Sequence, residues 1–204
     1  MRPPTMTELY ADNPFIAVLP QLVVTRVVGN PNLDASRMWQ VDLGITVDCQ
    51  RFRGGARGYH SWVADYITYD FVNIPLVGDT FNTVNTPLAT LVGGEAYLEY
   101  DINRCWTGFG TLSYVAGTDR TRDNSIGIIR QDLDPTSQRS GSALSNEALP
   151  VINPLQSRVG MRWHDPSANP RWAVEFAGSI VDDQDRFAAT LIESKTPGYA
   201  IYDI

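Results

Sequence analysis

The feature that most constrains this chain is a two-residue alternation of apolar and polar side chains. In Trp39–Asp48, Val41, Leu43, Ile45 and Val47 alternate with polar residues and glycine. This period is typical of a β-strand with one apolar and one polar face. Further extended segments are predicted at Arg51–Ile67, Leu88–Asp101, Cys105–Thr118, Gln156–His164, Trp172–Asp182 and Tyr199–Ile204. No segment shows a helical period, so the sequence predicts an all-β, antiparallel fold of about seven or eight strands.

The predicted connections between these strands differ in length. Short turns are expected at 49–50, 102–104 and 165–170, and long loops at 67–87, 119–155 and 183–198. The stretch 1–37 is predicted to be a further long connection. Long loops gathered at one end are typical of a transmembrane β-barrel with short periplasmic turns and long extracellular loops. A soluble sandwich has no reason to be arranged in this way.

The two faces of the predicted strands fit a water-filled or plugged barrel. One parity carries charge and is predicted to face the lumen: Arg51, Arg53, Arg57, Glu95, Glu99, Arg158, Arg162 and Glu175. Aromatic residues near strand ends are typical of the girdles at the two membrane interfaces. They are Trp39, Trp62, Tyr66, Tyr100, Trp106, Trp163 and Trp172. The alternative interpretation of these aromatics is the core or edge of a soluble sandwich.

Charge and composition exclude some classes of function. The chain has 16 Lys and Arg against 23 Asp and Glu, a net charge of −7, which argues against a nucleic-acid partner. No apolar run is long enough for a transmembrane helix. Met1 and Arg2 are not followed by the apolar stretch of a secretory signal, so we expect either a start further upstream or a cytosolic protein. The spacing of Cys49 and Cys105 does not decide whether they pair.

Several segments between the strands resemble those of TonB-dependent outer-membrane receptors. Arg2–Tyr10 is similar to the family's R-x-P-T-x-x-E-L-Y stretch, and Gly29–Leu33 to its G-N-P-x-L loop before a barrel strand. Leu149–Leu155 resembles the L-P-x-I-P-P entry to a late strand, and Gln184–Arg186 and Thr196–Tyr199 resemble late connections. One departure is Asp34-Ala35-Ser36, where the family usually has K-P-E. The segments occur in family order along nearly the whole chain.

The resemblance implies a barrel of about 22 strands closed around an N-terminal plug domain. Such receptors import iron–siderophore complexes, cobalamin, other metal complexes or sugars, with energy from the TonB complex. We therefore expect residues 1–204 to be the C-terminal part of the barrel domain, without the plug, signal peptide and final strand, and not transport-competent alone. Its expected place is the outer membrane, and its expected partners are lipid, the TonB complex and a small-molecule or metal-chelate ligand. No cofactor is implied.

Ligand contacts in such a receptor would come from the long loops and the upper lumen. The candidates by position are Arg2, Tyr10, Tyr69, Phe71, Arg120, Arg122, Arg186 and Tyr199. An arginine can bind an anionic chelate through two parallel hydrogen bonds. Each candidate is equally well interpreted as an ordinary loop residue.

No catalytic or metal-binding pattern stands out, so the chain is predicted not to be an enzyme. His60 and His164 belong to different predicted strands. Asp182-Asp183-Gln184-Asp185 lacks the glycine and terminal glutamate of a calcium-binding EF-hand loop. Two other classes of function remain open: a self-contained small outer-membrane barrel acting as a porin or adhesin, and a soluble all-β binding module.

Overall fold

The computed structural model describes residues 1–15, 25–74, 78–121, 146–167, 171–188, 191 and 193–204. These residues form one short helix and ten strands. In chain order they are α1 (Met6–Tyr10), β1 (Asp12–Phe15), β2 (Thr25–Val28), β3 (Arg37–Asp48), β4 (Phe52–Ile74), β5 (Gly78–Asp101), β6 (Trp106–Asp119), β7 (Glu147–Ala148), β8 (Gln156–His164), β9 (Ala173–Val181) and β10 (Tyr199–Asp203).

Seven of these strands form an antiparallel meander in the order β3-β4-β5-β6-β8-β9-β10. The short strands add to its upper end, the end away from the short turns. There β2 runs parallel to β5, with Arg26 opposite Thr80, and β7 pairs with the last residues of β6. In the described part of the chain, β3 and β10 do not pair with each other, so the sheet is open at both edges. The predicted all-β, antiparallel class is confirmed.

The predicted loop at 67–87 is wrong. Instead β4 continues to Ile74 and β5 begins at Gly78, and the two strands stay in register to Ile74↔Gly78. The alternation fails there because the strand pair is kinked at Asp65, whose φ is 53°. Asp65 lies opposite Pro87, and cross-strand pairing resumes on either side of these two residues. A positive φ is uncommon for a residue with a side chain and changes the direction of the strand. Beyond the kink the two strands are rich in Thr and Asn.

The stretch 1–37 is also more ordered than a simple connection. Helix α1 begins with a capping box, in which Thr5 Oγ1 accepts from the Glu8 N–H (3.2 Å) and the Thr5 N–H donates to Glu8 Oε2 (2.7 Å). The Gly29 N–H donates to the Ala11 carbonyl (2.7 Å), and a Cβ at Gly29 would lie 2.6 Å from the backbone of Leu9. Only glycine allows this loop to pack directly on the end of the helix.

The register gives the meander two chemically distinct faces. Val41, His60, Val92 and Ala116 are cross-strand neighbours on one face. From the row of Trp39, Trp62 and Thr90 down to the short turns, no Asp, Glu, Lys or Arg occupies that face in the described strands, and Arg37 lies above that row. Most of its large apolar side chains are more than a third exposed. They include Trp39, Val41, Leu43, Ile45, Phe52, Trp62, Val92, Leu98, Tyr100, Leu112, Tyr114, Val159, Met161, Trp163, Val174, Phe176, Ile180 and Tyr202. We call this the outer face.

Aromatic rings lie at both ends of the outer face. At the short-turn end, the Trp163 ring stacks on Trp106 (6.0 Å between centroids) and meets Trp172 edge-on (4.8 Å). At the other end Trp39 and Trp62 are cross-strand partners. Tyr66 is not part of either group, contrary to the expectation from sequence, because it packs against a buried cluster on the opposite face.

That buried cluster lies at the upper end of the inner face. Leu149, only 1% exposed, packs with Val63 and Ala89, and Tyr66, Leu91 and Ile152 surround them. The Leu149–Ile152 turn therefore closes over the strands with two apolar side chains. Gly117 makes room, since a Cβ there would lie 2.9 Å from Leu149 Cδ1.

Shortening Leu149 to alanine tests this cluster. We expect Leu149→Ala to lower the free energy of unfolding by about 2–5 kcal/mol, because it leaves a cavity among buried side chains. The control is Val151→Ala in the same turn, where the side chain is 87% exposed and about 0.5 kcal/mol or less is expected. Urea unfolding followed by tryptophan fluorescence in detergent micelles measures both; equal effects would show that the turn is not anchored by Leu149.

Candidate functional site

The inner face carries a set of ion pairs, which we call the lumenal charge network. Its four arginines lie on β4 and β8, and each contacts at least one carboxylate on a neighbouring strand. The members are Arg53, Arg57, Arg158 and Arg162 with Asp42, Glu95, Glu99, Asp101, Glu175 and Asp203.

The first half of the network joins β3, β4 and β5. Arg57 Nη2 lies 2.6 Å from Asp42 Oδ1, and its Nη1 lies 3.8 Å from Glu95. Arg53 donates two hydrogen bonds to the Asp101 carboxylate, at 3.0 and 3.1 Å, and a third to Glu99 at 3.2 Å. These contacts cross the strands directly or diagonally, as the register requires.

The second half joins β8, β9 and β10 and connects to the first through Arg162. Arg162 contacts Glu175 on β9 (3.0 Å) and Glu99 on β5 (3.7 Å), reaching across β6 with its guanidinium 5.4 Å from the centre of the Phe109 ring. Phe109 itself lies over Gly160, where a Cβ would be 2.5 Å from the ring. Arg158 extends the network by a contact with Glu175 at 2.9 Å and with Asp203 at 3.8 Å.

All but one of the charges predicted to share the lumenal face lie in this network. The exception is Arg51, which lies exposed in the turn before β4. Their partners Asp42, Asp101 and Asp203 were not among the predicted lumenal residues, although the parity of each residue in its strand could have identified them. Because the paired side chains are 29% to 66% exposed, each pair stabilises the fold by only about 0.2–1 kcal/mol. Each of the four arginines in the network is neutralised by at least one carboxylate.

The predicted ligand-contacting residues lie at the upper end. Arg2 pairs with Glu8 and its backbone bridges to Ser36. Exposed tyrosines occur at the end of α1 (Tyr10, 62%), on upper β4 (Tyr69, 38%) and at the start of β10 (Tyr199, 57%). The backbone of Phe71 pairs with Phe81 in the extended β4–β5 hairpin. Arg122 lies outside the described residues.

Two of the predicted residues, Arg120 and Arg186, are brought together. Arg120 Nε donates to Thr90 Oγ1 (2.9 Å) and Arg186 Nη2 donates to Thr118 Oγ1 (3.1 Å). Thr90 and Thr118 are direct cross-strand partners. The arginines thus converge from two different loops on one point of the sheet, which their separation in sequence gave no reason to expect.

A cavity of about 170 Å³ lies between the end of β6 and the segments 148–149, 152–155 and 182–186. It is smaller than the roughly 300–1,000 Å³ of typical small-molecule sites. The neighbouring loop is held at its base, where the Gly198 N–H hydrogen bond to Asp183 (2.7 Å) and the nearby Lys195 ammonium (3.2 Å) lower the pKa of the Asp183 carboxyl. Lys195 also contacts Asp185 at 2.6 Å. We interpret this cavity as a packing gap between loops.

The polar groups in the described ranges are arranged for structure. No cluster of three or more His, Cys, Asp or Glu side chains in those ranges could hold a metal ion. His164 Nε2 lies 3.2 Å from Thr107 Oγ1, which donates to Asp101, so this histidine extends the lumenal charge network.

Cys49 and Cys105 are free thiols in two short turns. Within the described residues, no helix is both long and apolar enough to span a membrane.

Comparisons with known proteins agree with this geometry. A family model described as TonB dependent receptor-like, beta-barrel, matches residues 1–204. Among solved structures, the copper transporter OprC is 20% identical with a TM-score of 0.63, over 85% of this chain and 23% of that one. The siderophore receptor PirA from Pseudomonas aeruginosa (15%, 0.52) and the ferric enterobactin receptor PfeA from the same organism (14%, 0.54) each match over 87% of this chain and 24% of theirs. The chain thus spans about a quarter of their length. No curated protein sequence matches.

Removing Arg162 tests whether the two halves of the lumenal charge network depend on each other. We expect Arg162→Met to lower the free energy of unfolding by about 0.5–1 kcal/mol at low salt, because Glu99 and Glu175 lose a shared cation. The loss should shrink in about 1 M salt, where the screening length falls to roughly 3 Å. The control is Arg104→Met in the exposed β5–β6 turn. Equal destabilisation by the two variants at every salt concentration would contradict the network.

Proposed function

Because this chain belongs to the TonB dependent receptor-like β-barrel family, we propose that it forms part of the wall of an outer-membrane receptor for active uptake of a scarce ligand. The proposed ligand is a metal chelate, such as an iron–siderophore complex, or cobalamin. The solved proteins of this fold include a copper transporter and receptors for siderophores, which supports that class. Energy would come from the TonB complex, and the chain would act as a transporter component without catalytic activity.

The observation that carries this proposal is the charge-free outer face opposite a charged inner face. On β5 the part of this face from Thr90, which pairs with Trp62, to Tyr100 covers ten steps along the strand. At about 3.4 Å per residue those ten steps cover roughly 34 Å. Strands tilted by about 40° would then span roughly 26 Å of height, close to the apolar band of about 25 Å in outer-membrane barrels. The band matches the membrane in chemistry and in height.

The same face argues against a soluble binding module. Soluble monomers rarely expose an apolar patch larger than a few hundred Å², whereas this one covers seven strands. The open edges of β3 and β10 argue against a small barrel closed by the described strands alone. Unpaired strand edges cannot remain in lipid. We propose that residues 1–204 are a partial barrel domain whose two edges pair with further strands of the same receptor, and that they do not transport alone.

We propose that ligand contacts lie at the upper mouth, away from the neutralised lumenal charge network. Tyr10, Tyr69 and Tyr199 offer exposed aromatic rings there. By register, Tyr199 lies on the inner side of β10. Aromatic rings with hydroxyl groups suit a chelate that is apolar on its surface and carries a few oxygen atoms.

Adjacent substitutions on β6 test the membrane placement. Leu112 is on the outer face and Ser113 is on the inner face opposite Glu95. We expect Leu112→Arg to destabilise the folded protein in lipid vesicles by about 2–4 kcal/mol, because the substitution places a charge in contact with lipid near the bilayer midplane. Ser113→Arg should cost far less. A greater loss for Ser113→Arg would reverse the assigned faces.

Uptake assays on the organism's own cells test the transport function. Deleting the gene should reduce energy-dependent accumulation of at least one radiolabelled metal chelate, and reintroducing the gene should restore it. An uncoupler that collapses the proton gradient of the inner membrane should abolish the same uptake. Accumulation that depends on the gene but survives the uncoupler would indicate a passive porin instead.

A further inference from the structure

The meeting point of Arg120 and Arg186 lies on the outer face. Thr90 and Thr118, which accept their hydrogen bonds, have the parity of Val92 and Ala116, two members of the charge-free row. The two threonines are almost fully buried, at 5% and 9% exposure, whereas both arginines are exposed. The hydroxyl groups therefore hold two guanidinium groups at the surface of the sheet.

The level of this pair on the barrel is the upper edge of the apolar band. Thr90 lies ten residues before Tyr100 on β5, which places it roughly 26 Å above Tyr100 when the strands tilt by about 40°. The cross-strand row through Thr90 and Thr118 also contains Trp39 and Trp62. Tryptophan is enriched at the membrane–water interface. The arginines are therefore at the depth of lipid headgroups.

Both charges are uncompensated within the described part of the chain. There, neither Arg120 nor Arg186 forms an ion pair, in contrast to the arginines of the lumenal charge network. The nearby carboxylates of Asp183 and Asp185 are engaged by Lys195.

The guanidinium groups also keep hydrogen-bonding capacity. A guanidinium has five N–H donors. Arg120 uses Nε and Nη1, the latter with Asn146 (2.6 Å), and Arg186 uses Nη2. Their other donors have no described partner.

We propose that Arg120 and Arg186 form a binding site for the phosphate of an anionic lipid headgroup in the outer leaflet. This rests on the proposed membrane placement, and it adds a lipid contact that is separate from ligand uptake. A phosphate accepts paired hydrogen bonds from guanidinium groups, and the acyl chains of the same lipid would lie along Leu112 and Tyr114 below. A lipid fits better than free phosphate because the site adjoins the apolar band.

The test is native mass spectrometry of the intact protein in detergent with three lipids: diphosphorylated lipid A, phosphatidylglycerol and zwitterionic phosphatidylcholine. The variant is Arg120→Gln with Arg186→Gln, which removes both charges and keeps a side-chain amide to reach the threonines. The matched control is Arg51→Gln with Arg104→Gln, two exposed arginines in short turns at the opposite end. Should the double variant fail to fold, each single substitution replaces it, with an expected weakening of about threefold.

We expect the wild type and the control to retain both anionic lipids in preference to phosphatidylcholine, and the double variant to bind lipid A about tenfold more weakly. Equal binding by the variant and the control overturns the proposal. Full displacement of lipid A by 10 mM inorganic phosphate would also overturn the proposal, because a site for a free anion would be saturated at about that concentration. A wild type that shows no heat-modifiable gel mobility contradicts the proposed function, whereas normal mobility with equal lipid binding contradicts only this inference.

Discussion

The cross-strand register is the constraint on which the rest of the structure depends. Side chains alternate between faces with a period of two, so a slip of one residue moves every side chain of a strand to the other face. For β4 such a slip would place Arg53 and Arg57 against lipid and remove them from Asp101 and Asp42. A charge on the lipid face costs about 2–4 kcal/mol near the midplane. In the proposed membrane placement, lipid would select the same register that the ion pairs on the inner face stabilise.

The charged side chains of the inner face are paired with one another. Its arginines alternate with carboxylates from β3 to β10, and Glu99 and Glu175 each serve two arginines. Because Gly160 has no side chain, the Phe109 ring can lie over it, and the Arg162 guanidinium lies over the same ring. Arg120 and Arg186 differ because they lie on the outer face and have no described carboxylate partner. Compensated arginines hold strands together, and uncompensated ones at the surface are available to an external anion.

The sequence predicts those parts of the fold that depend on local alternation of apolar and polar residues. It does not predict the parts whose structure is determined by contacts between distant segments. The ends of β3 and β8 follow from Val41, Leu43 and their counterparts, whereas the upper β4–β5 hairpin was missed because the kink at Asp65 interrupts the pattern. The Thr5-x-x-Glu8 pattern of a capping box could have predicted the start of α1. The burial of Leu149 and the meeting of Arg120 with Arg186 depend on how loops fold back on the sheet, which periodicity does not contain. The family resemblance, confirmed over residues 1–204, supplied the order of the segments but not these contacts.

The most direct test of the two-faced wall is site-directed spin labelling along β5 in lipid vesicles. The native Cys49 and Cys105 are replaced by serine, and single cysteines are introduced in turn from Leu91 to Leu98 for labelling. We expect labels at Val92, Ala96 and Leu98 to collide mainly with oxygen dissolved in lipid, and labels at Glu95 and Tyr97 to collide mainly with a water-soluble nickel complex. The two accessibilities should alternate with a period of two. Uniform accessibility to the nickel complex, or alternation of the opposite phase, would contradict the account.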